Sequence, residues 1–234
     1  MTTIQSIAIV NRPEKIYENK NAIIVMRDSK IVEGLKDMEY TLINRSLGLK
    51  NVRLMPSVDK PVRGPIDAYR YITAPGLHTL GSDISSCSNN IGIYINASDI
   101  ILDGRGHSIG GIGSVYTTGI YLDNVRNVTI LNVSIRDWFW AIYANSSFVV
   151  NISHISTDSN EYGVRLENIN ETQIFDSNMS RNWKTGIFFK YAENVSIFSI
   201  RIRTCGDHGI ELDICENINI SRADFDDVDD FAIV

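Results

Sequence analysis

Short bursts of alternating apolar and polar residues recur along the second half of the chain with a period of 22 to 23 residues. A small residue opens each period: Gly92, Gly119, Ala141, Gly163, Gly186, Gly209 and Ala232. A first apolar pair follows it, as in Ile120 and Leu122, Ile142 and Ala144, Val164 and Leu166, Ile187 and Phe189, and Ile210 and Leu212. A second pair runs Val128 and Ile130, Val150 and Ile152, Thr172 and Ile174, Val195 and Ile197, Ile218 and Ile220. The third runs Val133 and Ile135, Ile155 and Thr157, Ser177 and Met179, Ile200 and Ile202, Ala223 and Phe225. Inward residues two apart and rich in Ile and Val have the period of a half-buried strand, not of a helix. Each period therefore predicts three short strands, and the repetition predicts a coil stacked on itself. A leucine-rich repeat would show one strand signature followed by a helix or an irregular arc.

The expected fold is all-β, a parallel β-helix with three strands per coil, in which equivalent side chains superimpose about 4.8 Å apart along the axis. No coil buries its apolar face alone; neighbours supply the hydrogen-bond partners and the dry interior, so an uncovered end is a weakness. The link between second and third strands ends in Asn132, His154, Asp176, Ser199 or Arg222, with Asp103 beginning the series. Residues of this kind at a tight corner suit a left-handed backbone, so the series, His154 included, reads as architecture. Two regions frame the repeat. Residues 1–70 lack it: Ala22 to Met26 reads as a strand, and Ile31, Leu35, Met38 and Leu42 have helical spacing over about Ser29 to Asn44. Pro56, Pro61, Gly64 and Pro65 mark a linker. Residues 1–70 are thus expected to be an α/β cap on the first coil or a small separate domain, with residues 71–234 forming the β-helix. Phe231 to Val234 begin another first strand, which predicts further coils or another chain covering that end.

A net charge of -6 and a pI near 5.2, with no basic stripe, argue against nucleic-acid binding. The apolar stretches are too short to span a bilayer, and the opening MTTIQSIAIVNRPEK has no continuous apolar segment of the signal-peptide kind. Cys87, Cys205 and Cys215 are an odd set, and the strand between the last two should hold them beyond disulfide reach. Sequons at Asn44, Asn96, Asn127, Asn132, Asn145, Asn151, Asn170, Asn178, Asn194 and Asn219 fit a glycosylated exported protein. They equally fit the coil itself, which places Asn at corners before an inward residue and an outward Ser or Thr.

From about residue 71 the sequence resembles the right-handed parallel β-helix repeats of the pectin-lyase-like superfamily, and most of all NosD-type archaeal surface proteins. The resemblance rests on ITAPGLHTLGSDI (72–84), Cys87, IILDGRGHSIGG (100–111) and GIYLDNVRNVTILNVSI (119–135) with its later copies. It implies a right-handed coil, an extracellular or cell-surface setting, and a role in carbohydrate binding or sugar hydrolysis. The superfamily also holds lyases, tailspikes and adhesins, and fold alone does not choose among them.

In the enzymes so resembled, sugar lies along the outer face of the first strand and beside the loops before it. Here that face is the row Tyr94, Tyr121, Tyr143, Arg165, Phe188 and Glu211, and the loops hold Trp138, Trp140 and Trp183. Aromatic faces beside charged and amide groups suit pyranose rings, so a polysaccharide or other glycan is the expected partner. The competing account is that outward aromatics stabilise the sheet by stacking on one another. Glycoside hydrolysis needs two carboxyls at a set separation; the candidates are Glu211, Asp207, Asp226 and Asp227, with His208 as a proton shuttle. Gly206-Asp207-His208-Gly209 resembles in part the Gly-His-Gly of polygalacturonases, whose Asn-Thr-Asp is absent. A lyase would use Arg165 as base and calcium on Asp226 to Asp230, though no lyase motif is present and no cofactor is expected. Asp123, Asn145, Glu167, Lys190 and Asp213 read as a salt-bridge row. GRGHSIGG is not a phosphate loop, because no G-x-G-x-x-G is completed, and no Cys/His cluster has metal-ligand spacing. The reading is a carbohydrate-binding β-helix module, alone or within a polysaccharide lyase or glycoside hydrolase; the alternative is a structural or adhesive surface solenoid without enzymatic activity.

Overall fold

The computed structural model describes residues 65–234 throughout and, within residues 1–64, the backbones of four strands. Contacts divide the chain into two units, Met1–Lys60 and Pro61–Val234. In the first, Ser6–Val10 runs parallel to Ala22–Met26, and Thr41–Asn44 pairs antiparallel with Leu49–Arg53. The strand expected at Ala22 to Met26 is present. The helix expected over Ser29 to Asn44 does not reach its end, because the partner Leu49–Arg53 draws Thr41–Asn44, with its β-branched Thr41 and Ile43, into a hairpin. Residues 29–40, and most of the expected linker, lie outside the described residues.

The second unit is a parallel β-solenoid, and no helix occurs among its described residues. Successive first strands pair in register, so Ile93, Ile120, Ile142, Val164, Ile187 and Ile210 form one inward column without solvent exposure. The third strands stack Ile109, Ile135, Thr157, Met179, Ile202 and Phe225 in the same way. Two later coils run their strands together: Tyr162–Ser180 and Ile187–Cys205 are each continuous ladders bent at the corners.

Left-handed residues make those bends. Asn124, Asn127, Asn132 and Asp137 have φ between 51° and 62°, and the four equivalent positions recur one coil later at Ser146, Val149, His154 and Ser159. The expected series is left-handed at Asn132, His154, Asp176, Ser199 and Arg222. Asp103 departs from it. It ends the strand Ile100–Asp103, and Arg105 (φ 53°) and Gly106 (φ 83°) turn a wider corner in its place. Asp103 Oδ1 braces that corner by accepting from the N–H of Arg105 at 2.9 Å and from Asn132 Nδ2 at 3.1 Å. Other sequon asparagines also donate across coils, Asn127 to Asp99 (2.7 Å) and Asn194 to Asn170 (3.1 Å), as the architectural account of them requires.

Candidate glycan-binding face

On the outer side of the first strands the register sets Tyr71, Tyr94, Tyr121, Tyr143, Arg165, Phe188 and Glu211 in one row. Tyr94 and Tyr121 stack with centroids 5.2 Å apart and planes 11° apart; Tyr121 and Tyr143 do so at 5.3 Å and 14°. The ring faces therefore look along the solenoid axis at one another, and the row turns its phenolic edges outward. Each end of this stack of three meets a carboxylate: Tyr94 donates its O–H to Asp123 (3.3 Å) and Tyr143 to Glu167 (3.0 Å). Burial pushes the phenols of Tyr94, Tyr121 and Tyr143 up, with the nearby carboxylates adding to the shift, so all three remain O–H donors at neutral pH.

Arg165 continues the row as a cation among rings. Its guanidinium lies 4.5 Å from the Phe188 centroid, 5.4 Å from Tyr162 and 6.0 Å from Trp140, a geometry that aromatic quadrupoles favour. It also grips Glu167 through Nε (2.9 Å) and Nη2 (2.5 Å). Phe188 is consequently 7% exposed, a support under Arg165 with little surface to offer a ligand. In the neighbouring row Lys190 pairs with Asp213 at 2.7 Å, and Glu167 is taken by Arg165.

The three tryptophans separate. Trp138 does not join the surface: it is 2% exposed and donates its indole N–H to the Ile109 carbonyl at 3.1 Å. Glycines on the preceding coil make room for it, since a Cβ at Gly111 or Gly92 would come within 2.8 or 3.1 Å of the indole. Trp140 is half-buried against Tyr143 (5.2 Å). Trp183 is 73% exposed over an open cleft of about 360 Å³. Phe139 and Tyr162, in the loops before the first strands, stand beside Trp140, and Tyr116, which sequence reasoning missed, joins them. Tyr116 is 74% exposed on the loop before Thr118. The signal for that loop is spacing, because Gly92 and Gly119 lie 27 residues apart while Gly119 and Ala141 lie 22 apart.

The acidic candidates fall on two faces. Glu211 is in the first-strand row and accepts from Thr185 Oγ1 at 3.2 Å; His208 opens the same strand and Asp207 precedes it. Asp226 projects instead from the third strands, 3.7 Å from Arg203, and Asp227 forms the left-handed corner after it. The residue bonded beneath Asp207 is Asp230, whose N–H donates to the Asp207 carbonyl at 3.0 Å. Among the described residues no three His, Cys, Asp or Glu side chains gather as a metal cage, and no helix is long and apolar enough to cross a membrane. Cys87, Cys205 and Cys215 are all free thiols.

Searches of curated proteins and of solved structures find no match to the chain. The profile of the right handed beta helix region matches residues 118–234, half of the sequence and the part with the most regular coils. With the parallel three-strand coils already established, that match places the chain in the right-handed β-helix family.

Proposed function

We propose that this chain is a carbohydrate-binding β-helix module of an extracellular or cell-surface protein, with a polysaccharide lying across the first-strand face. One observation carries the reading: an unbroken row from Tyr71 to Arg165, one residue per coil and supported beneath by Phe188, is flanked by Trp140 and Tyr162 on one side and by Asp123 and Glu167 on the other. Phenol and carboxylate oxygens that accept, with the Tyr121 O–H to donate, match a chain of sugar hydroxyls, and exposed rings at the margin match its C–H faces. The sequons and the resemblance to NosD-type surface proteins support the setting.

A structural or adhesive solenoid is the second reading, favoured by the tyrosines stacking on each other. An enzymatic role would draw on Glu211, Asp207 and His208 at the acidic end of the face, as a hydrolase or lyase. Affinity electrophoresis through neutral and acidic polysaccharides, with assays for unsaturated products and new reducing ends, tests all three. The module reading expects retardation without turnover; product formation would make it an enzyme, and neither effect would leave the solenoid.

A further inference from the structure

We infer that the cleft beneath Trp183 is a subsite for a single neutral pyranose ring, an assignment that rests on the glycan-binding reading above. The cleft lies among the loops before the first strands, between Ser159 and Asp229. Its volume of about 360 Å³ falls at the small end of ligand pockets, which suits one ring. In the loops on either side the side chains leading toward the first strand turn inward: Trp138, Asn160, Asn182 and Cys205 are all buried. Trp183 follows Asn182 and so faces out. Its backbone is nonetheless fixed, with its N–H donating to the Asn160 carbonyl at 2.7 Å. Gly206 closes the floor, because a Cβ there would sit 2.2 Å from the Trp183 carbonyl oxygen. An exposed indole carried on a hydrogen-bonded backbone beside an open cleft is a stacking platform for the C–H face of a sugar.

Polar groups around the platform decide the ligand class. Thr204 and Asp229 line the cleft, and their side chains make no hydrogen bond or ion pair among the described residues; they are a free hydroxyl and a free acceptor. Both neighbouring cations are occupied, Arg181 by Asp158 (Nε to Oδ1, 3.1 Å) and Lys184 by Glu161 (2.9 Å). Asp207 and Asp230 add further negative charge on the next two loops. A sugar hydroxyl donates to Asp229 at no electrostatic cost, whereas a uronate or sulfate would face uncompensated carboxylates. The site therefore selects against acidic sugars.

The test titrates the full chain with methyl glycosides of glucose, galactose and mannose, their oligomers, and galacturonate and glucuronate. Tryptophan emission and saturation-transfer NMR are the readouts. At least one neutral glycoside should shift the Trp183 emission, and uronates should bind at least about tenfold more weakly at low salt. Trp183→Ala should weaken neutral binding at least about fivefold, Trp183→Phe should restore part of it, and Asp229→Asn should preferentially improve uronate binding. Far-UV circular dichroism shows that the variants fold. Neutral binding indifferent to Trp183→Ala, or uronates preferred by the wild type, overturns the subsite while leaving the glycan-binding face intact. Absence of binding by every sugar and its oligomers overturns both.

Discussion

Asn160 and Asn182, one coil apart, are hydrogen-bonded to each other in the dry interior: Asn160 Nδ2 donates to Asn182 Oδ1 at 3.1 Å, and neither residue is exposed. The same Nδ2 lies within hydrogen-bond distance of the Ile135 and Asp158 carbonyls, its two N–H shared among three acceptors, and Asn160 Oδ1 accepts from the Trp138 N–H at 3.0 Å. Asn182 passes the chain on to Thr157 Oγ1 at 3.1 Å. The pair ties the loops before the first strands, and hence Trp138 and Trp183, to the solenoid core.

Asn160→Ala should therefore lower the unfolding free energy by about 3 to 5 kcal/mol, since several buried backbone groups lose their partner together. Denaturant melts of the single variants and of Asn160→Ala with Asn182→Ala measure it, and the pair should be less than additive.

Thr172 marks the opposite case. It occupies a second-strand inward position filled by Val128, Val150 and Val195 on other coils, is fully buried, and its hydroxyl has no hydrogen-bond partner. Thr172→Val should stabilise the fold by about 1 to 2 kcal/mol, because it removes an unsatisfied polar atom at nearly constant shape. An unchanged or lower denaturation midpoint would show that the hydroxyl is satisfied in solution.

Cys205 gives a pH signature. Burial pushes its thiol up to about 11 from an ordinary 9.0. A raised folded-state pKa contributes stability that is fully present below about pH 9 and is lost as pH rises through about 11. The wild type should thus lose up to about 3 kcal/mol more than Cys205→Ala across that interval, at 1.36 kcal/mol per pKa unit. Urea melts at pH 8 and 11 read the difference, and parallel pH profiles for the two proteins would contradict it.

The periodicity shows the solenoid and its register because strand alternation and corner chemistry are local: Ile120, Ile142 and Val164 stack as their spacing requires. Tyr121, Tyr143 and Arg165 share a face for the same reason. Trp138 escaped that logic, since its inward course depends on Gly92 and Gly111 of another coil vacating space. The mutual stacking of Tyr94, Tyr121 and Tyr143 escaped it too, because rotamers are set by neighbours on both sides. The separation of Asp226 from Glu211 is not legible in the sequence either, because two acidic residues in one coil can still lie on different faces of it.

Hydrogen-exchange mass spectrometry with and without the tightest-binding polysaccharide tests the proposed face most directly. Protection should appear in residues 119–123, 141–145 and 163–167 and in the loop 180–184, and be absent from the second strands at 126–131 and 148–153. Protection centred on those second strands, or no protection with any polysaccharide, would contradict a glycan site on the first-strand face.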